Sequence, residues 1–69
     1  MKIRQMDYVA LTHDLTEHGL KTGDVGVVLH CYRGGESFDV EFLHVGQRII
    51  EVTLTTDDIR PVPGPTPAE

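Results

Sequence analysis

The feature that most constrains the fold is a pair of adjacent glycines, Gly34 and Gly35, set between two apolar segments. Residues 25–32 before the pair are nearly all apolar, and residues 38–42 after it alternate apolar and acidic side chains. Paired glycines in this setting are typical of a hairpin turn, because glycine adopts positive φ without steric cost. The strict alternation predicts a strand with one dry and one wet face. We therefore predict an antiparallel β-hairpin whose dry face the other segments cover.

Gly26 interrupts the first strand of this hairpin, just after a turn at Thr22-Gly23-Asp24. A glycine inside a strand weakens it unless a bulge, a sharp bend or the close approach of another backbone requires it. A bulge at Gly26 would shift the pairing by one residue and reverse the facing of the residues that follow. The sequence therefore leaves open the facing of four side chains: Val27, Val28, Leu29 and Cys31.

Two further segments predict strands on either side of the hairpin. Residues 7–15 alternate in the manner of a strand, although some of their apolar residues also fall at helical spacing. Residues 48–56 alternate apolar and polar side chains from Ile50 to Leu54, which predicts a second half-buried strand. The polar loop between the first two strands carries one large apolar residue, Leu20, which we expect to face inward.

A short helical turn and a closing strand are predicted after residue 54. Thr55 followed by Asp58 resembles a helix-start box with aspartate in place of glutamate. Pro61 cannot continue a helix, so we predict a single 3₁₀ turn between Thr55 and Arg60. Val62 is then expected to pair with the first strand and to close the sheet.

The length of 69 residues predicts one small domain with a marginal core, because such chains bury only about 60% of their unfolded surface. We divide the chain into a lead (residues 1–6), a domain (residues 7–62) and a mobile proline-rich tail (residues 63–69). Short strands separated by turns predict an all-β fold, a small SH3-like barrel of about five antiparallel strands. The expected core consists of Val9, Leu11, Leu20, Val25, Val28, Val40, Phe42, Val52, Leu54 and Ile59.

The charge and the single cysteine restrict the classes of partner and compartment. Six basic and eleven acidic residues give a net charge of -5, which argues against nucleic acid and favours either solubility or a basic protein partner. Cys31 has no second cysteine to pair with, which fits a reducing compartment, and the cytoplasm is the default expectation. No segment approaches the roughly 20 apolar residues of a membrane span.

Several short segments together resemble a known family. They are Lys21-x-Gly23-Asp24-Val25-Gly26-Val27-Val28, Gly35, Val40-Glu41-Phe42, Val52-x-Leu54 and Asp58-Ile59-Arg60-Pro61-Val62. This combination resembles a family of small bacterial proteins of unknown function. Its Gly-x-x-Gly-x-Val part is also similar to the KOW motif of ribosomal proteins and transcription factors.

Both families are SH3-like barrels, so the resemblance implies that fold. The KOW likeness implies binding to RNA or to a transcription complex. This chain departs from that use, because it carries acidic residues where an RNA-binding protein would carry basic ones. The acidic positions that we expect to be exposed are Asp39, Glu41, Glu51, Asp57 and Asp58.

The densest group of metal-capable side chains is His13, Asp14, Glu17 and His18. Two imidazoles and two carboxylates could bind zinc, but the histidines are five residues apart, whereas a helical metal pair requires four. A solvated polar loop is the alternative that we favour, and we predict no metal or other cofactor. Cys31 lacks the adjacent base and positive surroundings of a nucleophile, so we also predict no catalytic group.

The leading functional hypothesis is a non-catalytic protein-binding module, for example an immunity or antitoxin-like protein. The alternatives are a KOW-like RNA-binding or transcription-complex module and a small metal-binding protein using the loop from His13 to His18. We expect a monomer, or a weak homo-oligomer formed through an edge strand. Loop and rim positions supply the candidate partner-binding residues, which are Tyr8, Glu17, His18, Tyr32, Arg33, Glu36, His44, Gln47 and Arg48.

Overall fold

Five antiparallel strands form a single sheet in the computed structural model, which describes residues 3–44 and 48–63. The strands are β1 (Tyr8–Leu11), β2 (Val25–Cys31), β3 (Ser37–His44), β4 (Arg48–Thr55) and β5 (Ile59–Pro61). A 3₁₀ helix (Thr16–His18) is the only helix in these residues. The prediction of an all-β fold with about five antiparallel strands is therefore confirmed. No helix of the described ranges is long and apolar enough to cross a membrane.

The strand order is β4-β3-β2-β1-β5, so the last strand returns to the free side of the first. Leu11 pairs with Ile59 and Val9 with Pro61. The backbone N–H of Val62 donates to the carbonyl oxygen of Tyr8 at 3.0 Å. The predicted closing contact between Val62 and the first strand is confirmed.

The core lies on one face of this sheet. The buried cluster is Ile3, Val9, Leu11, Leu20, Val28, Phe38, Val40, Phe42, Leu54 and Ile59, with Leu15, Cys31, Ile50 and Val52 packed against it. Side chains from all five strands meet in this cluster, so the sheet curls around its own inner face. Burial of the apolar side chains on this face makes the main favourable contribution to the free energy of folding of a chain of this size.

Two of the predicted core positions differ in the structure. Val25 is 50% exposed and Val52 is only partly buried, whereas Ile3, from the predicted lead, is buried. Gly26 pairs with Val9 and Phe42, whose side chains face inward, so the adjacent Val25 must face outward.

The bulge that was considered for Gly26 lies three residues further along β2. Val28 pairs with Val40 and His30 pairs with Asp39, which leaves Leu29 as an extra residue opposite no partner. Val27 therefore faces outward, and Val28 and Cys31 face the core.

The bulge at Leu29 also holds the N-terminal segment. The backbone N–H of Met6 donates to the carbonyl of Val28 at 2.7 Å, and the side-chain amide of Gln5 donates to the carbonyl of Leu29 at 3.0 Å. These bonds place Ile3 against the core beside Cys31, whose thiol lies 3.8 Å from the carbonyl of Ile3.

The predicted turn between Thr55 and Arg60 is present as one hydrogen-bonded turn, in which the backbone N–H of Asp58 donates to the carbonyl of Thr55 at 2.9 Å, but it is not a 3₁₀ helix. The carboxylate of Asp58 does accept hydrogen bonds from the backbone and hydroxyl of Thr55, at 3.0 and 3.1 Å. The chain forms only a tight turn there, because Ile59 already pairs with Leu11 in β5. The 3₁₀ helix (Thr16–His18) lies instead in the loop between β1 and β2.

Three further predictions for local structure are confirmed, whereas the predicted proline-rich tail lies outside the described residues from position 64 on. Gly34 and Gly35 have φ of 98° and 71°, so the hairpin turn uses the positive φ that glycine permits. The first strand is a strand rather than a helix, although it ends at Leu11, before a bridge between Leu15 and Leu20. Leu20 is 2% exposed, as the loop prediction required.

Candidate functional site

The outer face of the sheet carries a continuous row of side chains across four strands. Tyr8 on β1 pairs with Val27 on β2, Val27 pairs with Glu41 on β3, and Glu41 pairs with Glu51 on β4. Their neighbours along each strand face the core, so these four face outward. The row runs from an apolar end at β1 to an acidic end at β4.

A shallow apolar groove of about 290 Å³ lies at the apolar end of this row. Its lining residues are Met6, Tyr8, Val25, Gly26, Val27 and Glu41. Met6 and Val25 are 64% and 50% exposed, although both are large apolar side chains. The volume is small for a complete organic ligand, which usually takes 300–1,000 Å³, but it fits one or two protein side chains.

Met6 reaches the groove through an unusual backbone conformation. Its φ is +75°, which makes it the one non-glycine residue with positive φ in the part of the chain described. The turn is held by Asp7, whose backbone N–H donates to the carbonyl of Arg4 at 3.0 Å and whose carboxylate accepts from the N–H of Arg4 at 2.8 Å. A left-handed conformation costs an L-residue roughly 1–2 kcal/mol. Strain of this kind is concentrated at binding sites.

The acidic end of the row places two carboxylates side by side. Glu41 and Glu51 are direct cross-strand partners, and like charges in that position are destabilising. The ion pairs found among the described residues are His13–Asp58 and His18–Glu17, so neither glutamate has a cationic partner there. A cation supplied by another molecule would relieve this repulsion.

Asp39 organises a polar network beside the acidic pair. It accepts hydrogen bonds from the hydroxyl of Thr53 at 2.6 Å and from the hydroxyl of Tyr32 at 2.8 Å. These bonds, that from Thr53 first, lower the pKa of Asp39. The ring of His30 meets Tyr32 edge to face, with 4.6 Å between the ring centroids. Tyr32 is thereby fixed on the outer face rather than free at the hairpin tip.

The four side chains considered for a metal do not converge. Glu17 and His18 lie in the 3₁₀ helix, with 3.9 Å between the carboxylate and imidazole. His13 and Asp14 contact partners outside the cluster. Within residues 3–44 and 48–63, no group of three or more His, Cys, Asp or Glu side chains could hold a metal ion.

His13 and Asp14 instead connect and order the loop between β1 and β2. The imidazole of His13 lies 2.7 Å from the carboxylate of Asp58, and the backbone N–H of Thr12 donates to the carbonyl of Asp58 at 2.9 Å. Asp14 accepts from the backbone N–H and the hydroxyl of Thr22, both at 2.8 Å. The loop is thus fastened to the turn before β5.

We expect the contact between His13 and Asp58 to make stability depend on pH. The carboxylate of Asp58, followed by the carbonyl of Asp14, raises the pKa of His13 above its ordinary value of 6.5. This contribution is complete below about pH 6.5 and is lost as the pH rises through the folded-state pKa. Bonds from Thr55 and then His13 lower the pKa of Asp58 below 3.8, so its contribution is lost in acid.

Urea unfolding at pH 5 and pH 8 measures the alkaline part of this dependence. We expect the protein to lose stability between these values, and we expect His13→Gln and Asp58→Asn each to reduce that loss. An unchanged difference between the two pH values in both variants would contradict this assignment.

The predicted partner-binding residues are divided between separate places. Tyr8 lies in the groove, and Tyr32 lies on the same outer face in the network around Asp39. Arg33 and Glu36 lie at the exposed tip of the hairpin between β2 and β3.

Two of the other predicted positions do not line the groove. Glu17 and His18 are exposed in the 3₁₀ helix. The backbone of His44 pairs with that of Arg48 at the end of the ladder between β3 and β4, and Gln47 lies outside the described residues.

Of the six lining residues, sequence reasoning predicted only Tyr8 as a binding position and missed Met6, Val25, Gly26, Val27 and Glu41. Met6 belonged to the segment predicted as a lead, and Val25 was assigned to the core. Two apolar residues flanking a glycine were the available signal, but the facing of Val27 depended on where the bulge lay.

The fold and surface define a small all-β domain that consists of one curled antiparallel sheet with an apolar groove on its outer face. The chain belongs to the family described as Domain of unknown function (DUF4926), whose model matches residues 5–61. Comparisons with curated proteins and with solved structures each gave no match. The inferred resemblance to a family of unknown function is thus confirmed at that level, whereas the likeness to SH3-like barrels and the KOW motif stays a prediction.

Proposed function

We propose that this chain is a non-catalytic module that binds a protein partner through the groove. The partner would insert an apolar side chain against Met6, Tyr8 and Val25, with a lysine or arginine beside it facing Glu41. The carrying observation is that Met6 and Val25, two of the four most exposed large apolar side chains described, converge on one groove. Exposed apolar side chains gathered at one place mark interaction sites, whereas single scattered ones do not.

The charge of the chain supports a basic partner. Its net charge is -5, and Glu41, at the groove wall, faces Glu51 without a cation beside either among the described side chains. Such a surface steers a positively charged protein toward the site and repels a phosphate backbone. These features disfavour RNA as the partner.

One form of such a module is an immunity or antitoxin-like protein that covers a basic site on an enzyme. The small size and the acidic outer face support this form. The unpaired thiol of Cys31 supports action in a reducing compartment, for which the cytoplasm is our proposal.

The experiment begins by placing a photoreactive amino acid at position 25, or at position 49 as the matched control. Val25 and Ile49 are both exposed apolar strand residues, but only Val25 lines the groove. A protein captured from position 25 is then purified, and its affinity is measured for the Val25→Asp and Ile49→Asp variants. Placing a carboxylate in a desolvated apolar contact should weaken binding at least about tenfold for Val25→Asp.

Equal affinity of the Val25→Asp variant and the wild-type chain would overturn the groove proposal. Loss of affinity only in Ile49→Asp would move the site to β4. A captured RNA whose binding weakens steeply with salt would replace the proposal by the nucleic-acid alternative.

Replacing Met6 by glycine separates binding from stability. Glycine adopts the positive φ of this position without strain, and the lost side chain is 64% exposed. We expect the free energy of unfolding to stay equal or to rise by up to about 1 kcal/mol. Affinity for the captured partner should fall about tenfold, because the apolar contact is removed. Urea unfolding measures the change in stability, and titration calorimetry measures the change in affinity. A variant less stable than the wild-type chain would mean that the backbone of Met6 is not strained.

A further inference from the structure

The two edges of the sheet are protected to different degrees. β5 is one edge strand; it has only three residues and ends at Pro61, which cannot donate to an added strand. β4 is the other edge strand and has eight residues, Arg48–Thr55, without proline, glycine or a bulge against β3. Natural sheets usually protect an edge strand from pairing with another chain by a short length, a proline or a bulge.

The outer edge of β4 has no strand beside it in the part of the chain described. At the end of the strand, both backbone groups of Thr55 are already hydrogen-bonded. Its N–H donates to the carboxylate of Asp58, and its carbonyl accepts from the backbone N–H of Asp58. The preceding residues of β4 pair with β3 on one side only. Within residues 3–44 and 48–63, no strand or backbone hydrogen bond engages their groups on the other side, which leaves that side open to an extended segment.

The inward-facing side chains of β4 are only partly buried, as expected for a strand with no neighbour on its outer side. Val40 and Phe42 on β3 are 0% and 1% exposed, whereas their β4 partners Val52 and Ile50 are only partly buried. An added strand with apolar side chains on its inner face would cover Ile50 and Val52. On the outer face, the same strand would place its alternate side chains beside Glu51.

We propose that β4 accepts an extended segment of a partner protein in which basic and apolar residues alternate. Backbone hydrogen bonds would supply the affinity, apolar residues would cover the partly buried positions of β4, and a lysine or arginine would face Glu51. A second copy of this chain fits less well, because two chains of net charge -5 repel each other and bring no cation to Glu51. This edge and the groove share the Glu41–Glu51 pair, but the backbone of β4 takes no part in the groove, so Val25→Asp separates failure of this inference from failure of the function proposed above.

The test uses the full chain and three capped octapeptides. In the first, lysine alternates with valine; in the second, glutamate alternates with valine; in the third, four lysines precede four valines. The lysine–valine alternating peptide should slow hydrogen exchange at alternate backbone amides of residues 49–54. The block peptide, with the same charge and composition, should not.

Reversing the charge at position 51 supplies the matched variant. Glu51→Lys should weaken binding of the lysine peptide about tenfold and strengthen binding of the glutamate peptide, with Glu51→Gln between them. Val25→Asp, in the groove, should leave peptide binding unchanged. Because Glu51 is exposed, these variants should keep the wild-type far-UV circular dichroism.

Three results would overturn the inference. They are equal binding of the block peptide, protection of amides outside β4, and indifference of both charged peptides to Glu51→Lys. A dimer in sedimentation, with β4 amides protected before any peptide is added, would also overturn it and assign the edge to a second copy.

Discussion

Replacing Gly26 by alanine is expected to lower the free energy of unfolding by about 3 kcal/mol, the upper end of the usual cost of overpacking. A Cβ atom at this position would lie 2.7 Å from the carbonyl oxygen of Glu41, 2.8 Å from Cγ1 of Val40 and 2.9 Å from Cδ2 of Phe42. The nearest obstacle is backbone in the adjacent strand, so β2 and β3 must separate to admit the methyl group. The free energy of unfolding of a protein is only about 0.05–0.15 kcal/mol per residue. The loss expected for this variant is therefore a large part of the total stability.

Gly23→Ala is the matched control for this prediction. Gly23 has φ of +91°, but an added Cβ would meet nothing within 4 Å, so its cost is limited to about 1–2 kcal/mol of backbone strain. Urea unfolding of both variants measures the difference. Equal losses in the two variants would mean that the contact between β2 and β3 is not what requires glycine at position 26.

Gly26 also shows how far the sequence alone could go. A glycine inside an apolar strand indicated a special position, and the close approach of another backbone was among the three reasons considered. The atoms that decide between these reasons belong to Val40, Glu41 and Phe42, on the neighbouring strand. Their distance from Gly26 depends on the register between β2 and β3, which the alternation of β3 alone does not determine.

The same uncertainty in register explains why the candidate site was predicted only in part. The hairpin glycines and the inward faces of β3 and β4 follow from local patterns, and the structure confirms them. Val27 could not be assigned to the outer face until the bulge was located at Leu29 rather than at Gly26. Tyr8 was predicted because exposed tyrosine is frequent at interfaces, whereas Met6 depends on a positive φ that its residue type disfavours.

Ile3 and the 3₁₀ helix show the limit of local patterns in a different way. Ile3 is buried because hydrogen bonds from Gln5 and Met6 to the bulge fix the N-terminal segment beside β2. Thr55 and Asp58 form the predicted hydrogen bonds, but pairing of Ile59 with β1 ends the turn before a 3₁₀ helix can form. Long-range pairing overrides the local preference in both places.

Deleting Asp39 is expected to abolish the native fold, whereas deleting Leu29 on the facing strand is expected to preserve it. Phe38 is 1% exposed, and loss of Asp39 would turn it to the opposite face from Val40 or break its pairing with Leu54. Removal of a buried phenylalanine alone costs about 3–5 kcal/mol. The hydroxyl groups bonded to Asp39 would also lose their acceptor.

Leu29 differs because it is the extra residue of the bulge. Without it, Val28 and His30 still oppose Val40 and Asp39, and the inward and outward faces are kept. The loss is limited to the hydrogen bond from Gln5 and the local contacts of the bulge, about 1–2 kcal/mol. Dispersed amide signals in NMR and a cooperative urea transition should persist for the Leu29 deletion and disappear for the Asp39 deletion. An unfolded Leu29 deletion would mean that the bulge is required to hold the N-terminal segment on the sheet, and that this attachment, rather than the inner face alone, maintains the fold.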